Sequence, residues 1–102
     1  LDELVHQRTR LGILTVLSEV TDADFVFLRD TLELTDGNLS RHLMVLEDAG
    51  YVRITKTFRA RRQHTAVKAT RSGRAALSRY LIDLQAIIDR AHQPDPATKA
   101  AR

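Results

Sequence analysis

With 102 residues the chain has room for one domain around one modest core. Its hydrophobic fraction of 43% is too high for a disordered segment, and the absence of cysteine excludes disulfides and thiolate metal sites. The net charge is only +3, yet residues 1–36 hold eight acids against three bases, while residues 49–82 hold nine bases and no acid.

That basic run reads as a footprint for a polyanion, because an ordinary solvated surface mixes both signs. No apolar stretch approaches the roughly 20 residues that cross a bilayer, and no signal-peptide pattern opens the chain. The sequence starts at Leu1, which points to a trimmed N-terminus, and a cytoplasmic location is expected, with no membrane partner.

From about Asp2 to Val20, the residues Val5, Ile13, Leu14, Leu17 and Val20 recur at helical spacing and predict one long first helix. Thr21-Asp22-Ala23-Asp24 breaks it, with Asp24 expected to cap the next helix. Phe25, Leu28 and Leu32 then predict a short second helix, and Leu34 is expected to plug the core from the connector Glu33-Leu34-Thr35. A third helix follows, capped by Thr35, carrying Leu39, Leu43 and Leu46 on one stripe and ending before Gly50.

Alternation of Val52, Ile54 and Phe58 with polar residues predicts a half-buried strand, and Thr65, Val67 and Ala69 predict a second. Between them lies the tip Arg59-Ala60-Arg61-Arg62. Thr70 caps a last helix running to about Ala91, in which Leu77, Leu81, Leu84, Ile88 and Ala91 are spaced as a heptad seam. Gln93-Pro94-Asp95-Pro96 stops it. The expected class is mainly α with a small β-hairpin (α+β), in the order helix, helix, helix, strand, strand, helix. Residues 1–92 form the domain, and 93–102 a flexible tail.

A short helix, a tight turn and a second helix ending at glycine form a helix-turn-helix pattern, which implies double-stranded DNA as the partner. Opposite its leucine stripe the third helix carries Gly37, Asn38, Ser40, Arg41 and Met44, with Asp36 and His42 nearer the edges. Arginine pairs with guanine and asparagine with adenine through two hydrogen bonds each, and serine suits a phosphate or a base edge. Gly37 costs helix propensity, which close approach to a phosphate at the helix N-terminus would explain; relief of crowding against the second helix is the alternative. Behind the hairpin tip of Arg59, Arg61 and Arg62, Lys56 and His64 complete a set able to reach phosphates or a flanking minor groove.

These segments resemble the compact winged helix-turn-helix regulators related to the MarR group. The resemblance runs through Leu34-Thr35-Asp36-Gly37-Asn38-Leu39-Ser40-Arg41-His42-Leu43 and Leu46-Glu47-Asp48-Ala49-Gly50-Tyr51-Val52. It resumes at Arg61-Arg62, Thr65 and Thr70-Arg71-Ser72-Gly73-Arg74-Ala75-Ala76, with Arg10-Leu11-Gly12-Ile13-Leu14 upstream. It implies a transcriptional regulator with a recognition helix from about Asp36 to Ala49, a wing from Tyr51 to Ala69, and dimerisation through the terminal helices. Ala60 stands where similar proteins usually place glycine, Gln63 where they often place proline, and Ala69 where leucine is usual, so the turn type of the wing is left open.

The last helix has more apolar surface than a small core needs, which independently predicts a homodimer through the set Leu77, Tyr80, Leu81, Leu84, Ile87 and Ile88. Part of the stripe is expected to pack on the first helix of its own chain, with the distal part, Leu84 to Ile88, making the main subunit contact. A two-fold dimer would place two recognition helices about one DNA turn, ~34 Å, apart on a pseudo-palindromic operator. With no separate sensor domain visible, a small-molecule effector would have to bind between the terminal helices and the DNA-binding core. No cofactor is expected.

Other function classes fit less well. No nucleophile, base and orienting acid stand at a recognisable spacing, so an enzyme is not expected. The four histidines lie far apart, and only His6 with His92 offers a conceivable metal pair. RNA binding lacks stacking aromatics, since only Tyr51 and Phe58 are near the wing. The competing reading is a winged-helix protein-interaction module without sequence-specific DNA binding, which predicts an apolar or mixed face in place of the basic run.

Overall fold

In the computed structural model, which describes residues 1–93, four helices and three strands follow in the order α1 (Arg8–Glu19), β1 (Ala23–Asp24), α2 (Phe25–Thr31), α3 (Asp36–Asp48), β2 (Val52–Arg59), β3 (Arg62–Ala69) and α4 (Arg71–His92). Ile13, Leu14 and Leu17 of α1, Leu28 of α2, and Leu39, Leu43 and Leu46 of α3 meet in one core, closed by Val67 of β3 and by Ala76 and Leu77 of α4. Leu34 packs against this core from the connector, as its position predicts. The rest of the expected tail beyond Gln93 lies outside the described residues. Among the described residues no helix is long and apolar enough to cross a membrane.

The first helix is shorter than expected. Asp2 Oδ1 accepts the backbone N–H groups of Leu4 (2.8 Å) and Val5 (3.4 Å), so the chain turns where the pattern predicts helix. The helix begins only at Arg8, after Gln7 caps it by accepting the N–H of Arg10 at 2.8 Å. Val5 is nonetheless fully buried, its apolar character having served the core rather than a helix stripe.

Two helix ends share one device. At the end of α2 the N–H of Glu33 bonds to Asp30 O and that of Leu34 to Arg29 O. At the end of α3 the N–H of Gly50 bonds to Glu47 O and that of Tyr51 to Leu46 O. Both are Schellman closures, which need a left-handed residue just past the helix. Gly50 supplies it at φ +80°, whereas Glu33 adopts φ +56° with a side chain that disfavours it.

Thr70 locks α4 in place. Its hydroxyl donates to Gly50 O (2.6 Å) and accepts from Gly73 N (3.0 Å), while its N–H donates to Tyr51 O (3.0 Å). A Cβ on Gly73 would collide with the Tyr51 carbonyl, so glycine is required where α4 crosses the start of the wing.

The hairpin expected from two strands gains a third. β1 pairs with β3 through Ala23 with Val67 and Asp24 with Ala66, giving the antiparallel order β1-β3-β2. Asp24 does stand at the N-cap of α2, but its side chain makes no capping bond; it lies 3.7 Å from His64 Nδ1. Phe58, expected to be half-buried, is 74% exposed, because the hairpin runs on past the end of the core.

Candidate nucleic-acid interface

The site begins with α3 and its cap. Thr35 accepts the N–H of Asn38 at 3.1 Å and starts the helix, and the buried stripe Leu39, Leu43 and Leu46 fixes its rotation on the core. The 3.6-residue period then turns Gly37, Arg41 and Met44 away from the core, with Ser40 toward the wing side and Asn38 and His42 toward α1. Ser40, Arg41 and Met44 are exposed, and Asn38 is half-buried. Nothing lies within 4 Å of where a Gly37 Cβ would sit, so crowding against α2 is not the reason for this glycine.

Asn38 and Arg41 are a unit, since Arg41 Nη2 donates to Asn38 Oδ1 at 2.8 Å. The amide oxygen aims the guanidinium across the exposed face and leaves further N–H groups free to donate outward.

Asp36 puts a negative charge beside the helix N-terminus, where it would oppose a phosphate. Its Oδ1 is held by Arg29 Nη1 at 2.9 Å, and Arg29 Nε also binds Asp30 at 2.9 Å. The two carboxylates hold the Arg29 guanidinium still more firmly protonated than usual. Sequence reasoning passed over Arg29; its place seven residues before Asp36, across a tight turn, was the signal available.

His42 is corrected from a DNA-facing residue to an internal link. Arg10 Nη1 of α1 donates to its Nδ1 at 3.2 Å, and Arg10 Nε donates to Leu4 O at 2.8 Å. Burial, then the positive charges of Arg10 and Arg41, push its pKa below the ordinary 6.5, so the ring is neutral at pH 7. With Nδ1 accepting, the proton of the neutral ring sits on Nε2.

The wing is built on a two-residue turn. Arg59 pairs with Arg62 across it, and both Ala60 (φ +50°) and Arg61 (φ +67°) are left-handed, as in a type I′ turn. Neither is the glycine or asparagine such a turn favours. Past Lys56 and Thr65 the two strands form a free ribbon that extends about 15 Å to the tip.

Strand alternation divides the wing residues between two faces. Lys56 shares a face with Val52, Ile54 and Phe58, which opens onto α3. Arg59, Arg62 and His64 lie on the other face, and Arg61 projects from the tip. The basic run is therefore not one continuous patch. His64, on the face of Arg59 and Arg62, lies at the β1 end of the wing with its Nδ1 3.7 Å from Asp24 Oδ1.

α3 and the wing meet around an open groove of about 470 Å³ lined by Phe25, Ser40, Leu43, Met44, Glu47, Ile54, Lys56 and Thr65. Ser40, Met44 and Lys56 thus face one space, with Arg41 one helical step away.

On α4, Leu77 and Tyr80 are corrected from interface to core. They are 5% and 4% exposed, packed in their own subunit, and Tyr80 Oη shares a 2.9 Å hydrogen bond with His6 Nδ1. That bond ties the N-terminal segment to α4. Leu84 is half-buried against the same core, whereas Leu81, Ile87 and Ile88 are 48%, 50% and 40% exposed.

Comparison with known proteins agrees with this geometry. The sequence profile of the family described as winged helix DNA-binding domain matches residues 9–88. An uncharacterised protein from Methanocaldococcus jannaschii is 37% identical over 82 residues, covering 80% of this chain and 89% of that protein. Among solved structures, a transcriptional regulator homologue from Pyrococcus horikoshii superposes with a TM-score of 0.85 at 35% identity, covering 90% of this chain and 91% of that one. A MarR-family regulator from Silicibacter pomeroyi has a TM-score of 0.66 at 26% identity, covering 96% of this chain and 66% of that one. From residue 9 to residue 88, the fold and the sequence profile coincide, and this chain belongs to the winged helix DNA-binding domain family, with transcriptional regulators as its structural neighbours.

Proposed function

We propose that the protein is a homodimeric transcriptional regulator that places α3 in the major groove of a specific duplex site and its wing on the flanking backbone or minor groove. The observation that carries this reading is the shared space at the foot of the wing, onto which Ser40 and Met44 of α3 and Lys56 of β2 all open. Asn38 and Arg41 read base edges as a coupled pair, Gly37 admits a phosphate to the helix N-terminus, and Arg59, Arg61 and Arg62 anchor the wing. Arg29 supports the approach by neutralising Asp36.

The distal half of α4 supplies the dimer contact through Leu81, Leu84, Ile87 and Ile88. A two-fold pair of recognition helices calls for an inverted repeat with half-sites about one helical turn apart. Selection from a random duplex pool should enrich such a repeat. Enrichment of a lone half-site would remove the dimer from the account, and no enrichment would remove sequence-specific binding.

A further inference from the structure

We propose that Phe58 is an apolar wedge that enters the minor groove beside the wing-tip arginines and selects an easily unstacked base step there. The inference rests on the reading that α3 and the wing face duplex DNA, and it adds a contact of a different kind.

Single exposed apolar side chains are common, so exposure alone argues nothing. Position is what sets Phe58 apart. It is 74% exposed, more than any other large hydrophobic among the described residues, and stands in the most basic part of the chain. It is paired across the ribbon with Gln63 and is the outermost residue on the strand face that carries Ile54 and Lys56. That face continues into the groove where Met44 of α3, 61% exposed, is also open. Between Ile54 and Phe58 this face carries Lys56 paired with Thr65, so Phe58 stands as a single apolar side chain beyond a lysine, next to the tip that bears Arg61.

A second observation says what covers it. Directly beyond Phe58, on the opposite face of the ribbon and with Arg61 at the tip between the two faces, Arg59 and Arg62 oppose each other across the strands, and like charges so placed destabilise a hairpin. The turn they flank holds Ala60 and Arg61 in left-handed conformations that non-glycine residues disfavour. Charge repulsion concentrated at one tip is relieved by a polyanion laid against it, which favours DNA over a second protein as the occupant.

The minor groove, about 6 Å wide, is too narrow for the ribbon itself but admits an arginine and an aromatic ring from its end. Apolar side chains inserted there part adjacent bases and bend the duplex toward the major groove, and pyrimidine–purine steps such as TA and CA yield most readily. Phe58 therefore reads deformability rather than a hydrogen-bond pattern.

The test uses the full chain and duplexes recovered by selection, with Phe58→Ala, Phe58→Leu and Arg61→Ala measured beside the wild type. Phe58→Ala should keep the wild-type melting temperature, weaken the selected duplex about tenfold, and leave the salt slope unchanged. It should also lose both the enrichment of TA or CA at the wing position and the DNA bend measured by end-to-end energy transfer. Phe58→Leu should retain most of both, and Arg61→Ala should lower the salt slope instead. A wild type that binds duplex with Phe58→Ala binding equally, at the same steps, overturns the wedge and leaves the regulator reading standing. A wild type with no salt-dependent duplex binding overturns both. A Phe58→Ala variant that changes oligomeric state while keeping DNA affinity and step preference makes Phe58 a protein contact and overturns the wedge.

Discussion

Gly37 occupies the first turn of α3 with open space where a side chain would stand, although glycine in a helix costs roughly 0.5–1 kcal/mol relative to alanine. Gly73 is the opposite case, enforced by the Tyr51 carbonyl. An intramolecular reason exists for one and not for the other. Gly37→Ala should therefore leave the fold intact, with thermal stability equal or slightly raised, while duplex affinity falls. Melting and binding curves on the same preparation separate the two effects, and unchanged affinity would remove Gly37 from the interface. The sequence singles out Gly37 by its cost to the helix, whereas the requirement for Gly73 becomes visible only in the geometry.

The elements were legible where hydrophobic period and caps agreed. In α3, Thr35, the leucine stripe and Gly50 all point to the same helix, and its bounds follow. Legibility failed where a side chain competed with the backbone, as Asp2 does at the N-terminus, or where a strand was too short to show alternation, as with Ala23–Asp24. It also failed for the contacts of His42 and His64, since periodicity places a residue near an edge but cannot name its partner on another element. The link from Arg10 to His42 joins α1 to the recognition helix, and its consequence is measurable. Because the folded state holds His42 below its unfolded pKa of 6.5, the unfolded chain takes up the proton first as the pH falls. The stability this group contributes is whole above that value and is lost toward the folded pKa. Denaturation midpoints should drop more between pH 7 and 5 for the wild type than for His42→Gln; equal slopes would contradict the link.

Across the whole molecule, a small core and a long last helix divide the work. α4 is about 33 Å long and is anchored near its start by Ala76, Leu77 and Tyr80, leaving the later turns with exposed leucine and isoleucine. The heptad spacing made the apolar seam visible, while the partition between core and exposed surface required the packing of Tyr80 on His6. Ile88, 40% exposed, is a cleaner probe than the half-buried Leu84. Ile88→Asp should convert dimers into folded monomers in light scattering and weaken binding to a two-half-site duplex; an unaltered dimer would place the contact elsewhere.

At this scale the central claim is a division of labour, with α3 reading base edges and the wing arginines holding the backbone. The most direct measurement is a salt titration of Arg41→Ala and Arg61→Ala on a selected duplex and on a random one. Arg41→Ala should cost about 1–3 kcal/mol on the selected duplex alone. Arg61→Ala should weaken both duplexes alike and lower the slope of log affinity against log salt by about one. Identical behaviour of the two variants on both duplexes would contradict the account.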